Sequence, residues 1–271
     1  MIETSQIERW LREDLGHHDV TNDVPGETAG QLVAKAEGMA AGLDAAAAVF
    51  SYLGVEVSGQ IENGSEVAPG DTVLRVEGAT RAVLRGERVA VNITGHASGI
   101  ATRTRETVRA AREVSDDIRI AATRKTTPGL RGIEKHAVIA GGGDSHRLDL
   151  SHMVLIKDNH IAEMGLEPAI ERFRERSSFA TKIEAEVETS DDALRAARAG
   201  ADIVLLDNMS PKETANAVES LPNDVLAEAS GTIALSNVSE YVATGVDIIS
   251  MGSLTHSAPT LDFSFRTTGA Q

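Results

Sequence analysis

Arg124, Lys125, Arg131, Lys135, Arg147 and Lys157 stand between Thr123 and His160, interrupted by only four acids, in a chain with 26 Lys+Arg against 41 Asp+Glu. Half of the six lysines and half of the eight histidines fall in this stretch. A cationic island in an acidic chain is either a solvated face balancing nearby acids or a pocket for an anion of several charges, such as a phosphate or a polycarboxylate. The pairs Arg124-Lys125 and His146-Arg147, set beside the glycines of GGGDSH, favour the pocket. GGGDSH fits neither a Walker nor a dinucleotide fingerprint.

A second set of residues complements the first. Glu184, Glu186 and Glu188 alternate, so all three are expected on one face of a strand, and Asp207 closes another apolar run. Glu186 and Asp207 are hard oxygen ligands suited to Mg²⁺, which takes few carboxylates plus substrate phosphates. The late glycine segments ASGTI and MGSL, with Ser230, Gly231 and Gly252, offer backbone amides for a phosphate group. Together these predict a phosphorylated, metal-chelated substrate beside a polyanionic one. Each residue alone has a plainer role: Asp207 a loop cap, His146 a satisfied core histidine. His17, His18, His136, His152 and His160 read as loop or structural histidines.

These side chains need elements to carry them. Six apolar runs read as strands, 118–123, 153–157, 182–188, 201–207, 225–230 and 246–252, with helices such as PAIERFRER, DDALRAARAG and PKETANAVES between them. Short apolar strands alternating with helices imply a parallel sheet covered on both faces. Six repeats, short of a clear eight, predict an irregular or open-sided barrel. Arg124-Lys125, Lys157, Glu186, Asp207, Ser230-Gly231 and Gly252 all fall near, at or just beyond the carboxyl ends of these runs. That is the edge where α/β barrels carry their chemistry.

The N-terminal part reads differently. IERWLREDLG is an amphipathic helix, QLVAKAEG a strand, LDAAAAVFSYLG a helix ended by Gly54, and residues 55–78 are short strands around NG and PGD turns. Residues 80–114 form a long helical region. Gly95 and Gly99 inside it predict either a split into two helices or a close packing contact. Arg88 in that region reads, by itself, as a surface arginine.

Composition excludes several classes. The formal net charge of −15 argues against general nucleic-acid binding. The absence of cysteine removes disulfides and thiolate ligands. No apolar run is long enough for a bilayer and no signal peptide opens the chain, so a soluble cytoplasmic protein is expected. Twenty arginines to six lysines amid abundant acids suggest a high-salt cytoplasm.

TRKTTPGLR, EKHAVIAGGGDSHRLDL, IKDNHI, EAEVET, GADIVLLDNM, ASG and TGVDIISMGSLTHSAPTLDFS, with GERVAVNITGHASGIATRT before them, closely resemble the quinolinate phosphoribosyltransferases. The likeness covers about Glu87 to Phe263 and, more loosely, the N-terminal module. It implies an N-terminal α/β sandwich (1–112, joined by the tail from about 255 to 271) and an open, irregular α/β barrel of about seven strands (113–254). It implies transfer of phosphoribosyl from phosphoribosyl pyrophosphate to quinolinate with loss of CO₂ and pyrophosphate, giving nicotinate mononucleotide for NAD synthesis. It further implies Mg²⁺ and a homodimer, or a hexamer of dimers, with shared sites.

By motif, Arg124, His146, Arg147 and a partner's Arg88 would grip the quinolinate carboxylates, and Lys125 and Lys157 would lie between the substrates. Glu186 and Asp207 would meet the ribose and the Mg²⁺-bound diphosphate, and Ser230, Gly231 and Gly252 the 5-phosphate. Ala185 departs from the family, which usually has a larger aliphatic there. The alternatives are a phosphoribosyltransferase acting on nicotinate or another anionic ring, a molybdenum-transport-associated homologue, and a non-catalytic anion-binding protein.

Overall fold

A computed structural model describes residues 2–268. The chain divides into two compact units. The first comprises residues up to Arg105, Gly132–Gly142 and the C-terminal segment from Ala258; the second comprises Glu106–Arg131 and Gly143–Ser257.

The first unit opens with α1 (Thr4–Leu15), β1 (Glu27–Ala34), β2 (Gly38–Met39), α2 (Leu43–Tyr52), β3 (Glu56–Gln60), β4 (Glu66–Val67) and β5 (Thr72–Ala79). α3 (Thr80–Arg112) follows, and from Glu106 onward it belongs to the second unit. The main sheet has the order β12-β1-β5-β3, where β12 (Phe263–Thr267) is the returning tail, antiparallel to β1. One core joins Leu32, Leu74 and Val76 of the sheet to Leu43, Ala46 and Phe50 of α2 and Val83 and Ala90 of α3. Helix α2 stops where expected: Gly54, just past it, takes φ +75°, the conformation that ends helices cheaply in glycine.

α3 does not split. It runs unbroken for 33 residues, and of the two expectations for Gly95 and Gly99 the close contact is the one realised. A methyl group at Gly95 would sit 2.9 Å from the Leu261 carbonyl oxygen, and one at Gly99 2.9 Å from the Pro259 carbonyl carbon. The segment leading into β12 can therefore cross the helix only at glycine. The propensity cost of about 1 kcal/mol per glycine is offset by that packing.

The second unit contains β6 (Arg119–Ala122), β7 (Val154–Ile156), α5 (Asp158–Met164), α6 (Leu166–Arg176), β8 (Ile183–Val187), α7 (Ser190–Ala199), β9 (Ile203–Asp207), α8 (Pro211–Ser220), β10 (Leu226–Ser230), α9 (Val238–Val242), β11 (Ile248–Met251) and α10 (Ser253–His256). α4 (Arg131–Ala140) precedes β7 in the chain, but from Gly132 it packs in the first unit, where Gly141 closes on the Ala101 carbonyl and Thr104. The sequence-based boundaries left it with the barrel. All six expected strands form one parallel sheet in the order β6-β11-β10-β9-β8-β7. Beside β6 a seventh position is reduced to one parallel bridge, Ala121 with Asp144. The result is an open α/β barrel.

Alternation along each strand sorts its side chains, since successive residues point to opposite faces. Ile156, Ala185, Val187, Val204 and Leu206 pack in one apolar cluster with helices α6 and α7. Ile120, Ala227, Ala229, Ile249 and Met251 pack in a second with α9 and Leu254. The residues of opposite parity are left for the interior. The small Ala185 fits this scheme as a fully buried member of the first cluster.

Candidate active site

A cleft of about 560 Å³ opens at the carboxyl ends of the parallel strands. Every strand contributes to it with the interior parity: Thr123 beyond β6, Leu155 from β7 and Lys157 just beyond it, Glu186 from β8, Leu205 and Asp207 from β9, Glu228 and Ser230 from β10, Ser250 from β11. Arg124, Lys125, His146, Arg147, Asn208, Gly231 and Thr232 complete the lining. Nine of the residues expected from sequence are thus together. Gly252 is adjacent, its open α-carbon facing Lys125 Cδ. Arg88 is an exposed residue of α3 in the first unit.

Local structure fixes the cations. Thr123 Oγ1 accepts from the Lys125 amide at 3.1 Å, and the buried Thr255 hydroxyl donates to the Lys125 carbonyl at 2.7 Å. Lys157 caps the start of α5, with the His160 ring accepting from its amide at 3.1 Å. The role expected for His160 is therefore structural, at the root of a cleft lysine. The Lys157 ammonium pairs with Glu186. Arg147 is only 7 % exposed, and its Nε makes no hydrogen bond. Burial and the neighbouring Arg124 both ease its pKa downward, against the pull of Glu184, Glu186 and Glu228.

The carboxylates divide by depth. Glu184 and Glu228 have no exposure, while Glu186 and Asp207 keep access to the cleft. Burial and the facing Glu228 push Glu184 well above the usual carboxylate range, with Arg147 acting against them. Glu188 falls beyond the end of β8 and is exposed, so the face shared by the three glutamates ends at Glu186. Glu228 and Asn208 went unremarked in the sequence. The signal was available for Glu228: it lies two residues before Ser230 and shares its strand face.

Among the described residues only His146 and Asn208 are non-glycine residues with positive φ, at 50° and 55°, and both line the cleft. Such backbone costs free energy and collects at functional sites. Asn208 Nδ2 donates to Asp207 Oδ2 at 2.7 Å, and the Asn208 amide donates to the Ser230 carbonyl at 3.0 Å. Gly231, at φ +120°, lies against Asn208, where a methyl group would meet the Asn208 amide nitrogen at 2.9 Å.

The profile described as "Quinolinate phosphoribosyl transferase, C-terminal domain" matches residues 100–266, and the corresponding N-terminal domain profile matches 19–98. The chain belongs to the quinolinate phosphoribosyltransferase family. It is a pentosyltransferase, as its motifs imply, and the family reaction joins phosphoribosyl to quinolinate with decarboxylation. A "Probable nicotinate-nucleotide pyrophosphorylase [carboxylating]" of Methanothermobacter thermautotrophicus is 44% identical over 97% of this chain and 98% of its own length. The human nicotinate-nucleotide pyrophosphorylase [carboxylating] is 41% identical over 96% of this chain and 90% of its own. Among solved structures, NadC from Streptococcus pyogenes superposes with a TM-score of 0.91 at 39% identity, covering 98% of this chain and 96% of that one.

Proposed function

We propose that the cleft of the second unit carries out the family reaction, with quinolinate at its Arg124–His146–Arg147 end and phosphoribosyl pyrophosphate at its Glu186–Asp207–Ser230 end. The supporting observation is that the parallel strands bring these cations and carboxylates together in one cleft. Arg124, His146 and Arg147 hold the two ring carboxylates and so aim the pyridine nitrogen at the sugar. Lys125 and Lys157 lie between the substrates. Glu186 and Asp207 stabilise the positive charge that grows on the ribose as pyrophosphate departs. Ser230, Gly231 and Gly252 hold the 5-phosphate. The ring nitrogen, once alkylated, makes the pyridinium an acceptor for the electrons left by CO₂.

Mg²⁺ fits the donor set at the second end. Asp207 Oδ2 is held by Asn208 and Glu186 Oε2 by Lys157, which leaves one hard oxygen on each without a hydrogen bond to any described residue. An ion keeping several waters needs few protein ligands. It would neutralise charge on the leaving pyrophosphate. His146, Glu184 and Glu228 bring ligand atoms within 4.8 Å of one another, but the nitrogen ligand and adjacent Arg147 make that group a poorer match for Mg²⁺.

The family likeness supports a homodimer in which Arg88 of a second copy completes the quinolinate end. No helix among the described residues is long and apolar enough to cross a membrane, in keeping with a cytoplasmic enzyme. Incubation with quinolinate, phosphoribosyl pyrophosphate and Mg²⁺ should yield nicotinate mononucleotide and pyrophosphate, and nicotinate should compete poorly. Turnover of nicotinate in preference to quinolinate would reject the assignment of the two-carboxylate end.

A further inference from the structure

We infer that Glu228 is a positioning residue for this reaction: its carboxylate accepts the His146 Nε2 proton and so fixes the ring with its Nδ1 edge toward the cleft, at the end where the substrate's ring carboxylates are held. The inference rests on the placement of His146 at the quinolinate end. His146 Nε2 lies 3.1 Å from Glu228 Oε2 and 3.6 Å from Glu184 Oε2. A lone pair on Nε2 would face the Glu228 carboxylate oxygen, so Nε2 carries a proton. Only Glu228 is near enough to accept it. Nδ1 makes no hydrogen bond with any described residue, although the ring lines the cleft. That leaves the Nδ1 edge of the ring facing the cleft.

The backbone is built for the same end. His146 sits at φ 50°, and Asp144 Oδ1 accepts its amide proton at 2.7 Å. A residue so strained persists only where its surroundings over-determine it. Asp144 supplies the backbone anchor, and Glu228 supplies the ring anchor from β10. Glu228 has no exposure and faces the equally buried Glu184, whose raised pKa owes part of its shift to Glu228. Two acids buried side by side are costly, and fold stability alone does not account for them. The charged groups around His146 are Glu228 of β10, Glu184 of β8, Asp144 at its amide and its chain neighbour Arg147, with Arg124 and Glu186 beyond Arg147. A glutamate that merely balanced Arg147 would need its charge but not its hydrogen bond to His146.

Two substitutions separate the roles. Glu228→Met removes the acceptor at similar volume, and Glu228→Gln keeps an acceptor while removing the charge. In steady-state assays, Glu228→Met should raise the KM for quinolinate about tenfold to a hundredfold, the scale of one charge-assisted hydrogen bond. The KM for phosphoribosyl pyrophosphate should move by less than about threefold. Glu228→Gln should recover most of the loss. Long-range ¹H–¹⁵N correlation spectra of the unaltered protein should show a proton on His146 Nε2. An unchanged quinolinate KM in Glu228→Met, an equal rise for both substrates, or Glu228→Gln as damaged as Glu228→Met would overturn the inference. So would an unprotonated Nε2, a readout that stands even where Glu228→Met does not fold. No nicotinate mononucleotide from the unaltered enzyme would instead reject the functional reading, with the spectra still reporting on the ring.

Discussion

Replacing Arg147 with alanine should separate the fold's needs from the site's. The side chain is 7 % exposed, and its surroundings disfavour its charge: burial and Arg124 together outweigh the three neighbouring glutamates. A cation held in a place that lowers its pKa contributes little to folding through its charge, so the variant should still unfold in one cooperative melt. For the substrate the balance is reversed. A guanidinium meets a carboxylate with two parallel hydrogen bonds. At about 1.5–3 kcal/mol for each charge-assisted bond, removing the fork costs about 3–6 kcal/mol. With about 1.36 kcal/mol per factor of ten, kcat/KM for quinolinate should fall roughly 10²- to 10⁴-fold. Initial rates of pyrophosphate release at varied quinolinate, read beside thermal melts, measure both quantities. A kcat/KM within about threefold of the unaltered enzyme in a folded variant would refute the placement of quinolinate at Arg147.

Gly231→Ala should weaken phosphoribosyl pyrophosphate binding and cost about 1–3 kcal/mol of stability, because φ +120° and the adjacent Asn208 amide leave no place for a methyl group; matched KM and melting measurements check this. Asp207→Asn should raise the Mg²⁺ concentration for half-maximal activity roughly tenfold or more, read from magnesium titrations at saturating substrates. Asp19 tests acid sensitivity in the first unit. Arg85, at 2.7 Å, and the amides of Thr21 and Asn22 hold its carboxyl below its ordinary value of 3.8. A depressed carboxylate stabilises the fold above that ordinary value and loses its effect as pH falls. The melting difference between the unaltered protein and Asp19→Asn should therefore be full at neutral pH and shrink from about pH 5 toward about pH 2.

Much of the site was legible because strand periodicity is local. Once six apolar runs are read as parallel strands, the residues at their carboxyl ends share an edge, and Lys157, Glu186, Asp207 and Ser230 follow. Glu228 was missed although the same parity marks it, because an acid inside an alanine-rich run carries no local sign of burial. The unbroken α3 was also hidden. Gly95 and Gly99 lower helix propensity locally, and their compensation comes from Pro259 and Leu261, far along the chain.

The sequence by itself settled the element types, the parity of each strand and the family, since these depend on neighbours within a few residues or on motifs read as written. Tertiary structure alone decided that α4 from Gly132 packs with the first unit, that the seventh strand shrinks to a single bridge at Asp144, and that His146 is pinned by Glu228. Each of these is a contact between distant segments. Its free energy depends on closing a loop and excluding water from two particular surfaces, and no local pattern encodes that.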